Sequence, residues 1–160
     1  MWALLVIMVS AAPAPAAGAP DAGAEAKPPT AREMAQLFFL AGDLKRAIDA
    51  AIRCIQTDGR KKCEPFYRAL VEYEALIHKN DQLTLPEAKS YLEWDRTISP
   101  DKPGKLTEPV IERYVKGPLE AARAAWQRGE REAALAAVER VQKVDPKNAD
   151  AKQLKAELTR

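Results

Sequence analysis

Leu44, Ala47, Ile48, Ala51, Ile52 and Ile55 recur at steps of three and four, and Lys45, Arg46, Asp49 and Arg53 fill the positions between them. That spacing draws one apolar stripe and one charged face on a helix. Ala134, Leu135, Val138, Val141 and Val144 draw the same stripe near the end of the chain. Start and stop signals extend the pattern. Thr30 with Glu33, and Thr84 with Glu87, have the capping-box form, and Pro86 falls in a first turn, where a missing N–H costs least. Helices are predicted at roughly 31–41, 44–57, 63–79, 85–98, 107–128, 131–144 and 148–159, with no strand. Gly117-Pro118 should kink or break the fifth, and Ser99 to Gly104, with Pro100 and Pro103, should be a loop.

Twenty residues, Leu40 to Gly59, return as Gln127 to Pro146 at an offset of 87. Gly42 matches Gly129, Asp43 matches Glu130, Ala47 matches Ala134, Ile48 matches Leu135, Ala50 matches Ala137, Cys54 matches Val141 and Asp58 matches Asp145. A weaker middle copy carries Ala88, Leu92 and Ser99-Pro100 at an offset of 41 from Ala47, Ala51 and Asp58-Gly59. At these residues the chain resembles the tetratricopeptide repeat (TPR), a helical hairpin of about 34 residues with small residues in both helices and Gly before the turn. The first copy departs from the pattern with Gly59 where Pro is usual. The last lacks an aromatic equivalent to Phe38, and the offsets place insertions on either side of the middle copy. The resemblance spans residues 30–160 and implies an all-α fold: a short right-handed solenoid of about three degenerate hairpins plus a C-terminal capping helix. Repeats of this kind bury apolar faces by stacking, and their product is usually a binding surface.

Residues 1–29 differ in kind. Trp2 to Val9 is an eight-residue apolar run, followed by a stretch rich in Ala, Pro and Gly up to Pro28-Pro29. A bilayer-spanning helix needs about 20 apolar residues, so the run reads as a signal-peptide core, with small residues near Ala14-Pro15-Ala16 for cleavage and a flexible linker after it. The basic residues usual before such a core are missing. The chain is expected to be exported to the periplasm or cell envelope, with membrane contact only through an uncleaved N-terminal segment.

Two cysteines are present, Cys54 and Cys63, on either side of the Gly59 turn. In an exported chain that spacing suits a disulfide; the alternative is two reduced thiols, with Cys54 filling the small-residue position that Val141 occupies. The single His78, near a helix end, forms no ligand cluster with them, so neither metal nor cofactor is expected. Net charge is only +2, with Lys and Arg dispersed among Asp and Glu, which argues against nucleic acid as a partner. The dense run Arg60-Lys61-Lys62 reads as a solvated turn. Glu72 with Glu74 and Glu130 with Glu132 lie two apart and so point to different helix faces, and the chain carries no nucleophile elbow, phosphate loop or HExxH. No catalytic residue is expected.

In the arrays that this chain resembles, the first helix of each hairpin lines a concave groove. By that resemblance Arg32, Gln36 and Phe39 in one hairpin, and Arg123, Trp126 and Gln127 in another, are candidate contacts for a second protein or a peptide segment, and Arg and aromatic side chains suit interface hot spots. The competing reading packs the Phe39 and Trp126 rings against neighbouring helices. The expected function is a protein-binding adaptor of the bacterial cell envelope; the alternative is a structural or assembly subunit of a larger envelope complex.

Overall fold

The computed structural model of the protein describes residues 28–79 and 82–160, so the expected signal segment and most of the linker lie outside the described residues. Eight α-helices follow in order: α1 (Ala31–Ala41), α2 (Leu44–Asp58), α3 (Arg60–Ile77), α4 (Leu85–Ile98), α5 (Glu108–Ile111), α6 (Gly117–Gln127), α7 (Arg131–Val144) and α8 (Ala149–Leu158). A 3-10 turn, Lys105–Thr107, leads into α5, and a π turn, Glu112–Lys116, joins α5 to α6. The backbone stays right-handed helical through both junctions of that π turn, so α5, the turn and α6 make one rod and the rods number seven. There is no strand among the described residues.

Both capping boxes form. Thr30 N–H donates to Glu33 Oε2 at 2.7 Å and Thr84 N–H to Glu87 Oε2 at 2.9 Å, while each threonine hydroxyl accepts from the backbone three residues on. Lys79 Nζ, at 2.9 Å, and the Thr84 donors together hold the Glu87 carboxyl down to about 2. Two of the helix ends are built alike, and this is the internal repeat written in backbone. Gly42 and Gly129 have φ of 84° and 80°, left-handed values that a side chain rarely adopts. Each closes its helix in the same way: Asp43 N–H donates to Phe38 O and Glu130 N–H to Ala125 O, both at 2.9 Å, the long bond of a Schellman cap. The middle copy shares a different end with the last. Ser99 (φ −137°, ψ 89°) and Asp145 (φ −128°, ψ 82°) stop α4 and α7 in nearly the same extended conformation, as the prolines that follow them require.

Packing follows chain order. α1 lies on α2, α2 on α3 and α3 on α4; α6 lies on α7, and α8 covers both; α4 against α7 joins the two groups. Ala35, Ala47, Ala51, Ala69, Ala88 and Ala134 are fully buried at the crossings, where a small side chain lets helix axes come close. Larger residues, Leu70, Ile98, Val138, Val141 and Leu158, fill the space between, each stabilising the fold by roughly 1.5–3 kcal/mol relative to exposure. Arg96 Nη2 reaches Asp145 Oδ2 at 2.7 Å and ties α4 to the end of α7.

Two boundaries differ from the sequence reading. α3 starts at Arg60 rather than near Cys63, because Gly59 (φ 94°) turns the chain within one residue, and Pro65 therefore sits inside the helix. At Gly117-Pro118 the chain neither kinks into separate helices nor continues as regular α-helix. The π turn absorbs the proline: Gly117 N–H donates to Glu112 O, five residues back, which takes the strain out of the turn that Pro118 cannot bond.

Cys54 and Cys63 form a disulfide with Cα atoms 5.9 Å apart and both residues buried. It closes a short loop, worth roughly 2–3 kcal/mol in the chain-entropy account. Replacing both cysteines by Ala should lower the thermal midpoint by roughly 6–12 °C in a domain of this size with helical content retained. Calorimetry of the oxidised parent against the double variant checks this, and an unchanged midpoint would mean that helix packing alone holds α2 to α3.

Candidate binding site

The six residues that the resemblance singles out take very different positions. Arg32 is exposed, its guanidinium 5.6 Å from the centre of the buried Phe66 ring on α3. Gln36 spends its amide on the α4 end, donating from Nε2 to Ile98 O at 2.9 Å. Phe39 is 2% exposed, so as a contact residue it is corrected: its ring is core and no partner reaches it in the folded chain. Arg123 is exposed and 3.8 Å from Asp150 at the start of α8, Trp126 is 40% exposed, and Gln127 is exposed beside it. On α6, Trp126 and Gln127 lie three and four residues after Arg123, so each neighbours it on the helix surface. The α1 set is thus split, with Arg32 exposed, Gln36 half-buried and Phe39 in the core, whereas all three residues of the α6 set are exposed.

The reason for Phe39's burial is the segment between α4 and α5. It does not project from the fold; it is folded into it. Gly104, Thr107 and Val110 are buried, and a Cβ on Gly104 would lie 2.6 Å from Phe39 Cε1, so only glycine lets the loop backbone lie on that ring. Phe39 in turn meets Tyr73 edge-on at 4.9 Å, and Tyr73 meets Tyr91 at 4.3 Å. The loop therefore fills the space beside α1 that an open groove would need.

Asp95, 4% exposed, anchors the loop. Its Oδ1 accepts the Gly104 N–H at 2.9 Å and the Thr107 hydroxyl, and Thr107 is 2.8 Å from the Tyr73 hydroxyl. With the single Thr107 proton given to Asp95, Tyr73 is the donor to Thr107, and the Tyr91 hydroxyl donates to Leu106 O at 3.3 Å. Burial pushes the Asp95 carboxyl up, against the pull of Thr107, Gly104 and Arg96, and it pushes the Tyr73 hydroxyl up to about 12. The sequence analysis missed this cluster. Its signal was there: Asp95 falls on the same helical stripe as Ala88, Tyr91 and Ile98, a carboxylate where an apolar residue belongs.

As for metals, among the described residues one group brings three ligand atoms within 4.8 Å of one another, Cys54, Asp58 and Cys63, and the disulfide uses both of its sulfurs. No thiolate is left for an ion.

The sign of the Asp95 effect is testable. A carboxyl whose folded pKa is raised stabilises the fold fully below its unfolded value, and that contribution is lost as pH rises through the folded value. Asp95→Asn keeps an oxygen to accept both hydrogen bonds but does not titrate. Urea melts of parent and variant from pH 4 to 7 should move in the variant's favour as pH rises; a gap independent of pH would contradict the burial account.

Set against known protein families, characterised proteins and solved structures, the chain has no match to any of them, and its function is read from its own residues.

Proposed function

We propose that this protein is an exported protein-binding adaptor, a short solenoid of TPR-like hairpins whose contact surface is the outer face of α6. The observation that carries the reading is the repeated hairpin: Gly42 and Gly129 with the same Schellman cap, and Ser99-Pro100 and Asp145-Pro146 with the same helix end. Stacked hairpins of this kind present surfaces to other chains. The contact set is Arg123, Trp126 and Gln127, in which an aromatic ring and an arginine lie one turn apart, the composition of an interface hot spot. The partner is a protein or a peptide segment. The large exposed apolar side chains among the described residues, Leu37, Ile52, Val71 and Trp126, sit on four different helices. That scatter favours an adaptor over a permanently packed subunit, which needs a large continuous apolar face.

Export is supported by the buried disulfide and by the Trp2 to Val9 run; among the described residues no helix is long and apolar enough to cross a membrane. Mass spectrometry of the native protein should find an amino terminus between Pro13 and Ala24, or a chain retained in the envelope fraction. An intact chain recovered from the cytoplasm with free thiols contradicts export.

Affinity purification of the tagged protein from its native host, run in parallel with Trp126→Ala, tests the surface. The parent should retain a partner that the variant loses, with affinity down about thirtyfold and the thermal midpoint within a degree or two, as for truncation of a hot-spot anchor of about 2 kcal/mol. Equal recovery by both proteins places the contact elsewhere and removes this site.

A further inference from the structure

A cavity of about 190 Å³ opens between the end of α4, the loop after it, the π turn and the α7–α8 junction. At roughly 30 Å³ per water that is room for about six heavy atoms. One wall is apolar, built of Leu92, Ile111 and Val115. The other carries two carboxylates, each 4% exposed, Asp95 and Asp145. Their situations differ. Asp145 is fully engaged: Oδ2 takes Arg96 at 2.7 Å and the Asn148 amide at 3.3 Å, and Oδ1 takes the Lys147 N–H at 3.3 Å. Asp95 receives both of its hydrogen bonds on Oδ1, and its Oδ2 has no partner among the described residues.

Charge makes the same distinction. Arg96 neutralises Asp145, and at the cavity mouth the exposed Asp101 and Lys102 offset each other. What remains on the wall is the Asp95 carboxyl, out of water, with both of its hydrogen bonds on Oδ1 and Arg96 shared with Asp145. A buried carboxylate oxygen is costly to leave without a cation or a hydrogen-bond donor, and Oδ2 is the oxygen left open.

We propose that this cavity is a binding site for a small primary ammonium with a short aliphatic body, its N–H₃⁺ on Asp95 Oδ2 and its carbon chain along Leu92, Ile111 and Val115. The site is separate from the α6 surface and stands whether or not that surface binds a protein. A neutral alcohol of the same length satisfies the hydrogen bond but leaves the charge, so the site discriminates by charge and not by shape alone.

The probe is n-butylammonium chloride, with n-butanol and matched sodium chloride as controls, followed by amide NMR of the folded protein at pH 7. The Gly104 amide, bonded to Asp95, and the Val115 amide in the apolar wall should shift saturably with a millimolar dissociation constant, the scale for a ligand of about five heavy atoms. Butanol should bind at least about tenfold more weakly, and Asp95→Asn should lose butylammonium by a similar factor while keeping its helical circular dichroism. Ile111→Trp, which narrows the cavity from the apolar side, should weaken binding without touching the carboxylate. Absence of saturable shifts, equal shifts with butanol, or full binding by either variant overturns the proposal and leaves the cavity to water.

Discussion

A single buried carboxyl sets the terms for the middle of this fold. Asp95 is out of water and must be met by protein donors, and the donors within reach are the Gly104 N–H and the Thr107 hydroxyl, both on the loop that follows its own helix. Satisfying it pulls the loop back across α4. That places Gly104 on the Phe39 ring of α1 and Thr107 on the Tyr73 hydroxyl of α3. Three helices are thereby joined through one loop, by contacts 9 and 12 residues away from Asp95 in sequence on one side and 34 residues from Thr107 on the other. A loop held this way is part of the core.

What could be read from the sequence is what neighbours in sequence decide. The capping boxes at Thr30 and Thr84, the left-handed glycines at 42 and 129, the loop from Ser99 to Gly104 and the Cys54–Cys63 disulfide all depend on groups within ten residues of each other. The helical stripes were legible for the same reason, since a period of three to four shows in a short window. The start of α3 was placed three residues late, at Cys63, because Gly59 turns the chain so sharply that the helix begins at Arg60.

The candidate site was legible only in part, and the difference between Phe39 and Trp126 shows why. Both rings precede a Gly turn of the same geometry, in positions matched by the 87-residue offset. Local pattern cannot separate them. The separation is made by an insertion that lies against one hairpin and has no counterpart at the other, so that Phe39 is covered and Trp126 is 40% exposed. The same insertion, with its prolines, walls a cavity beside Asp95. One structural element thus removes a groove from the front of the fold and creates a pocket at its side. The exposed α6 face has α7 and α8 behind it, and the Arg96 to Asp145 bridge ties that end to α4 and the loop-locked end.

Amide hydrogen exchange on Gly104→Ala tests the keystone role of the loop most directly, since an added Cβ falls 2.6 Å from the Phe39 ring and nothing else in the protein changes. Overpacking of this kind costs about 1–3 kcal/mol, or roughly 5- to 150-fold in opening equilibria. The account requires protection to fall together in α1, in the Lys105–Thr107 turn and in the facing turns of α3 and α4. Loss confined to the loop, with α1 and α3 as protected as in the parent, would show that the helices hold each other without it.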